Sequence, residues 1–297
     1  MDLETGEKIL RESFPDLQIR TIQAIEEGWD SLVLDINGEM IAKFPRYAWS
    51  ADKLQKESRL LPVVRHAVDL PVPNERALVN EADGAAIVQV YEKLPGEMLT
   101  PELEMRLPAD RLSVQLGRFL TQLHSIEPAV LESLGLDPVD PQIWFDRWLR
   151  LGSRIEEDVL PLLDVETGAA AREFLAGGID ASLAEFRPVL IHGDLGGWNI
   201  LVDDETSTVT GIIDWGDAEL GDPAYDFTAL KAEYSDALYR EIARSYEPQP
   251  DDAFLSRVDV YARLYPLYSA LWAGQIGRTV MEQKYLEMTR GVFGVER

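Results

Sequence analysis

Residues 189–227 read VLIHGDLGGWNILVDDETSTVTGIIDWGDAELGDPAYDF, and no other stretch of the chain restricts its fold as tightly. Two short apolar runs, 200–202 and 209–213, flank the polar turn DDETS and read as a strand pair; a third run, 189–191, leads into a glycine-rich turn. The polar residues fall where a purely structural strand pair has no use for them. Asp194 and Asn199 share the loop between the runs 189–191 and 200–202, and Asp214 follows the run 209–213. An Asp-x4-Asn loop followed by an Asp at the end of a hairpin gathers three oxygen-bearing side chains.

What those oxygens serve is bounded by composition. The 297 residues are 46% apolar, enough to bury one large core or two adjoining ones, so two lobes are the starting expectation. No apolar stretch reaches the roughly 18 residues that span a bilayer, and the acidic start MDLETGEKIL is unlike a signal peptide, so a cytoplasmic protein without a membrane partner is expected. There is no cysteine and there are three histidines, so any bound metal is expected to be a hard cation held by oxygen, such as Mg²⁺. A formal charge of −25 argues against nucleic acid, whose affinity comes from Lys and Arg on phosphates, and it permits a cationic small molecule.

The rest of the sequence divides into a mixed first part and a helical second part. Helical spacing over 3–14 ends at Pro15, and strands are expected at 19–25, 31–36 and 40–44, with Asn37-Gly38 as the turn of a hairpin. A helix over 50–61 with Ser50 as N-cap, the proline-rich LPVPNE and a strand over 85–91 follow, and Leu94-Pro95-Gly96 leads onward. An amphipathic helix begins near 108 and carries His124 near its end; more helix is expected through 141–185 and again after Asp222-Pro223.

Phosphoryl transfer needs a carboxylate that orients the acceptor hydroxyl and takes its proton, and at least two oxygen ligands for Mg²⁺ bridging nucleotide phosphates. His192-Gly193-Asp194, Asn199 and Asp214-Trp215-Gly216 have the layout of the kinase signature H-R-D-x-x-x-x-N followed by D-F-G. Upstream, Met40-Ile41-Ala42-Lys43 matches the V-A-I-K strand whose lysine reaches the phosphates. Glu57, in the next expected helix, is placed to hold that lysine by an ion pair. Each element alone is weak; the order and spacing of all five residues is specific.

On these residues the chain resembles the aminoglycoside phosphotransferase family, among antibiotic kinases and choline-kinase-like enzymes, over nearly its whole length. The segments IIDWGDAELGDPAYDF, FLTQLHSI and IAKFP are most similar to aminoglycoside 2''-phosphotransferases. The resemblance implies an α+β, bilobal protein-kinase-like fold: a β-rich nucleotide-binding lobe with one pairing helix over 1–93, a connecting segment over 94–98, and a mostly helical lobe over 99–297 with the catalytic loop and acceptor site. It implies Mg²⁺-dependent transfer of the γ-phosphate of ATP or GTP to a hydroxyl of an aminoglycoside. By the same match Asp194 is the base, Asn199 and Asp214 are metal ligands, and Lys43 with Glu57 positions the phosphates. The Glu92 carbonyl and the Leu94 amide hold the base through backbone, which leaves adenine against guanine open.

Departures from protein kinases narrow the substrate. Gly193 stands where many protein kinases carry the arginine that pairs with a phosphorylated activation loop, and only residues 217–221 separate the Asp-Trp-Gly motif from the next helix start. No such activation and no protein substrate are expected. The phosphate loop, 27–31, has a single glycine, and its Ser31 is either a phosphate ligand or a strand-edge serine. Asp217, Glu219 and Glu233 lie where the family builds a surface for ammonium groups; the alternative for each is an ordinary solvated acid. Trp272, on a helix over 261–276, either stacks on a sugar ring or packs in the core. His192 is expected to brace the catalytic loop, His124 to cap or pack, and Asp222 and Asp226 to anchor backbone. Two alternatives stand beside the aminoglycoside kinase: the same chemistry on a macrolide, amino alcohol or sugar, and a catalytically silent nucleotide-binding module.

Overall fold

The computed structural model describes residues 2–25, 30–81, 84–136 and 138–294, so Glu27, Gly28 and Trp29 of the expected phosphate loop lie outside the described residues. The chain forms two compact units, Met1–Leu123 with His192–Ala218, and His124–Ile191 with Glu219–Arg297. Among the described residues no helix is long and apolar enough to cross a membrane.

In the first unit, helix α1 (Leu3–Ser13) precedes strands β1 (Ile22–Ile25), β2 (Ser31–Ile36) and β3 (Met40–Pro45), helix α2 (Ala48–Ala67), and strands β4 (Glu75–Asn80) and β5 (Ala86–Glu92). The strands form one antiparallel sheet in the order β1-β2-β3-β5-β4. Asn37 and Gly38 both have positive φ, 60° and 73°, which is the conformation a tight hairpin turn requires and the Asn-Gly pair supplies. Alternation along β3 then sorts its side chains. Ala42 and Phe44 join Leu10, Leu32, Leu34, Ile36, Val88 and Val90 in a buried cluster on one face. Lys43 necessarily emerges on the other. Each fully buried Leu or Phe there contributes about 1.5–3 kcal/mol.

Helix α2 differs from the expectation at both ends. Ser50 is not its N-cap: the helix starts at Ala48, and the Ser50 hydroxyl accepts from the Tyr47 N–H at 3.0 Å and donates to the Tyr47 carbonyl at 2.9 Å, one turn inside the cap. Pro62 does not end it, because Leu60, Leu61 and Val64 are all buried and their packing outweighs the hydrogen bond the proline forgoes. Strand β4 is absent from the sequence expectation, since the prolines before it masked an edge strand.

The remainder of the first unit includes helix α3 (Ala109–His124), which crosses into the second unit at its last residue, and the hairpin of Ile200–Asp203 with Thr208–Ile212. The second unit is mainly helical, built on Pro141–Asp158, Val165–Gly178, Asp236–Ser245, Asp252–Gln275 and Thr279–Phe293. Over 141–185, where more helix is expected, two helices flank a 3-10 turn at Leu160–Leu162. A short strand, Glu219–Gly221, pairs antiparallel with Val189–Ile191 where the sequence pattern suggests a loop. The Trp144, Trp148, Tyr225 and Tyr261 rings pack with centroids 5.2–6.5 Å apart. Against them Asp222, fully buried, accepts from Arg257 Nε and from the Tyr261 hydroxyl, both at 2.8 Å. Asp226 lies 3.2 Å from His124 Nε2, and His124 Nδ1 is 3.0 Å from the Tyr246 hydroxyl.

Candidate active site

Five of the residues singled out by spacing come together inside the first unit. Lys43 Nζ donates to Glu57 Oε2 and to Asp214 Oδ1, each at 2.9 Å. The lysine and the glutamate are buried, whereas the Asp214 side chain is 48% exposed, so one carboxylate is a brace and the other faces outward from the pair. Burial opposes the charge on Lys43, yet Asp214 and then Glu57 outweigh it and hold its pKa well above the ordinary lysine value. Desolvation pushes Glu57 upward and Lys43 only partly reverses this. For Asp214, desolvation is outweighed by Lys43, and its pKa ends below the usual range, so it stays ionised.

Asp214 itself sits at φ 64°, ψ 71°, a left-handed conformation uncommon for a residue with a side chain. The neighbouring Trp215 holds the turn in place, with its ring fully buried and its Nε1 donating to the Ile212 carbonyl at 3.1 Å.

Asp194 and Asn199 are locked to each other. Asn199 Nδ2 donates to the Asp194 carbonyl at 2.8 Å and to Asp194 Oδ2 at 3.0 Å, which leaves the amide oxygen as its acceptor end. Trp198 Nε1 adds a third bond, to Asp194 Oδ2 at 3.1 Å. Desolvation, then the negative charges of Asp217 and Asp214, raise the Asp194 pKa well above the carboxylate range, against the pull of the Trp198 and Asn199 hydrogen bonds. His192 braces the loop. Its Nε2 lies 3.0 Å from the Ile213 carbonyl, and its Nδ1 accepts the Asp194 N–H at 3.3 Å, which fixes the neutral tautomer with the proton on Nε2.

The half-exposed Asp214 carboxylate and the Asn199 amide oxygen are hard oxygen donors of the kind that would hold a Mg²⁺. Ser31 is buried and its hydroxyl donates to Asp30 Oδ1 at 3.0 Å. Glu92 ends β5 with its carboxylate on Arg76, and Leu94 follows two residues later, its side chain against Gly211. Asp217 is not a free carboxylate: Lys53 holds it at 2.8 Å.

Glu219, Glu233 and Trp272 belong to the second unit. Glu219 pairs with Arg147 at 2.7 Å. Glu233, only 8% exposed, accepts from the Tyr265 hydroxyl at 2.7 Å and lies 3.5 Å from Lys284 Nζ. Trp272 is 48% exposed near the end of the helix Asp252–Gln275, beneath the Arg154 guanidinium at 5.7 Å, so it is not a core residue. Sequence reasoning alone misses Trp198 and Lys53. Their positions carry a signal: Trp198 adjoins Asn199 after two glycines, and Lys53 lies one helical turn before Glu57.

Residues 21–266 match the model of the phosphotransferase enzyme family. Viomycin phosphotransferase of Streptomyces vinaceus is 24% identical over 282 residues, 93% of this chain and 94% of that protein. The GDP and kanamycin complex of APH(2'')-IIIa superposes with a TM-score of 0.85 at 24% identity, covering 97% of this chain and 98% of that one. The macrolide 2'-phosphotransferase of Brachybacterium faecium gives 0.72 at 21% identity, over 99% and 100%. The kinase-like fold expected from the sequence is therefore the fold observed, and the chain belongs to the phosphotransferase enzyme family.

Proposed function

We propose that this phosphotransferase moves the γ-phosphate of ATP or GTP onto a hydroxyl of an antibiotic, with a cationic aminoglycoside as the leading acceptor. The observation that carries the chemistry is the Lys43 ammonium shared between buried Glu57 and Asp214, in the same unit as the Asp194–Asn199 pair. Lys43 is the group for the nucleotide phosphates, held in place by Glu57. Asn199 and Asp214 would hold Mg²⁺, which when bound neutralises charge on the phosphates. Asp194, with its raised pKa, is suited to accept the proton of the acceptor hydroxyl as the new O–P bond forms and the nucleoside diphosphate leaves. Trp198 and Asn199 hold its carboxylate in one orientation. The Glu92 carbonyl and the Leu94 amide are the assigned contacts to the base.

For the acceptor, the net charge of −25 permits a polycation, and Glu233 and Trp272 are the assigned recognition residues. The names of the relatives, which act on or bind viomycin, kanamycin and macrolides, set the compounds to test.

The decisive experiment is a coupled assay of ADP or GDP release with Mg²⁺ against aminoglycosides, viomycin, macrolides and small amino alcohols, with Asp194→Ala as control. Turnover on an aminoglycoside that is lost in the variant supports the reading. Turnover only on a macrolide or amino alcohol overturns the acceptor, nucleotide binding without turnover on any compound favours a silent module, and full activity of Asp194→Ala overturns the base.

A further inference from the structure

Lys53, in the first half of α2, extends its ammonium to the residues that follow Asp214. Glu57 follows it by one helical turn, so both side chains leave the same helix face. The ammonium lies 2.8 Å from Asp217 Oδ1, 3.0 Å from Asp217 Oδ2 and 3.3 Å from Asp30 Oδ2. It also stands over the Trp49 ring at 5.0 Å, where the face of the indole favours a cation. The stem is packed too, since a Cβ on Gly216 would meet Lys53 Cβ and Cδ at 3.4 Å. On its other side the Asp217 carbonyl oxygen presses on Gly193, where a Cβ would come within 2.6 Å. Burial works against the charge on Lys53, but Asp217 and Asp30 outweigh it and keep the side chain protonated.

Helix α2 is thus joined to the 214–217 turn at two points. Glu57 connects through Lys43 to Asp214, and Lys53 connects directly to Asp217. Beyond the packing of Leu54, Leu60, Leu61 and Val64, the helix is held to this turn at Glu57 and again about 6 Å away along its axis at Lys53. We propose that Lys53 is a positioning residue, whose ion pair with Asp217 locks α2 against this turn and keeps Glu57 and Lys43 set for the nucleotide phosphates without covalent activation. This rests on the kinase reading of the site. In this reading the Asp217 carboxylate serves the lock through Lys53.

The opposing idea, that Lys53 stands in for an acceptor ammonium on Asp217, has the opposite kinetic sign. The experiment is titration calorimetry of the magnesium complex of ADP or GDP, whichever the wild type binds and called Mg-ADP below, together with steady-state kinetics, on the wild type, Lys53→Met and Lys53→Arg. Lys53→Met is expected to weaken Mg-ADP binding about fivefold, the equivalent of ~1 kcal/mol at the upper end for a partly exposed pair, and to lower kcat while acceptor KM holds. Lys53→Arg, which keeps the charge, restores both. Unchanged Mg-ADP affinity in Lys53→Met, a lowered acceptor KM, or a defect that Lys53→Arg does not repair would each overturn the lock. Should Lys53→Met not fold, Lys53→Gln removes the charge and keeps a polar stem, and the same outcomes apply. Mg-ADP binding needs no acceptor, so the lock is tested even when no antibiotic turns over. A wild type that binds no nucleotide would overturn the kinase reading itself, and the lock with it.

Discussion

Lys43 Nζ lies 2.9 Å from Asp214 Oδ1 although 171 residues separate the two in the chain, and the same ammonium is 2.9 Å from Glu57 Oε2. Glu57 is fully buried, so the lysine proposed for the phosphates also compensates a carboxylate that water does not reach. Removing one partner of a buried pair costs about 3–5 kcal/mol, and the upward push on Glu57 lets it take up a proton and reduces that loss. Lys43→Met is therefore expected to lose roughly 3 kcal/mol in urea denaturation along with nucleotide binding. The double variant Lys43→Met/Glu57→Gln should regain at least about 1 kcal/mol of stability and none of the binding. A double variant no more stable than Lys43→Met would show that Glu57 is not strained by the loss of its partner.

A variant at Trp198 separates positioning of Asp194, the proposed base, from binding of the nucleotide. The Trp198 indole N–H reaches Asp194 Oδ2 at 3.1 Å, and a Cβ on Gly196 would collide with the ring at 2.2 Å, so the glycine is what lets the indole lie there. Trp198→Phe keeps the ring and deletes the donor. A net hydrogen bond to a charged group contributes about 1.5–3 kcal/mol, so kcat should fall about tenfold or more while the Mg-ADP dissociation constant stays within about twofold. Equal losses in both would mean that the tryptophan supports the loop as a whole.

Which parts of this were legible in the sequence follows from the range of the forces involved. The Asn37-Gly38 hairpin was readable because its turn is local and only a few residue types tolerate positive φ. That Lys43 meets Glu57 and Asp214, and that Asp194 meets Asn199, was readable because the motif sets residue type and order along the chain. Strand Glu219–Gly221 was not, since three residues without alternation carry no periodic signal and form a strand only through their partner, Val189–Ile191. The length of α2 was hidden by Pro62, whose local penalty is overridden by burial that no local window sees. Lys53 was passed over because a lysine on a helix is ordinary until the fold brings Asp217 to it.

The second unit has a buried ion pair with a different expected outcome. Asp222 is fully buried and accepts from Arg257 Nε at 2.8 Å, from the Tyr261 hydroxyl at 2.8 Å and from the Ala224 N–H at 3.0 Å. Arg257→Met strips the only charged partner in that set and should cost about 3–5 kcal/mol. Tyr261→Phe removes one hydrogen bond from a carboxylate that keeps its arginine, for about 1–2 kcal/mol. Denaturant unfolding of the two variants should rank them in that order; the reverse would place the weight on the Trp144 and Trp148 contacts of the tyrosine ring instead.

Gly193 is where conformation and space both exclude a side chain. Its φ is +78°, and a Cβ would sit 2.6 Å from the Asp217 carbonyl oxygen, between the loop of Asp194 and the turn whose Asp217 pairs with Lys53. Gly38 is the matched control, with φ +73° and nothing within 4 Å of the place a Cβ would take. Alanine at Gly38 meets only the left-handed penalty of about 1–2 kcal/mol, and activity should be unchanged. Alanine at Gly193 meets the same penalty and must also displace backbone beside Asp194, so kcat should drop at least about tenfold at equal or lower stability. Equal activity in the two variants would mean that the Asp217 carbonyl yields without moving Asp194, and that the close approach at Gly193 is a consequence of the turn rather than a condition for catalysis.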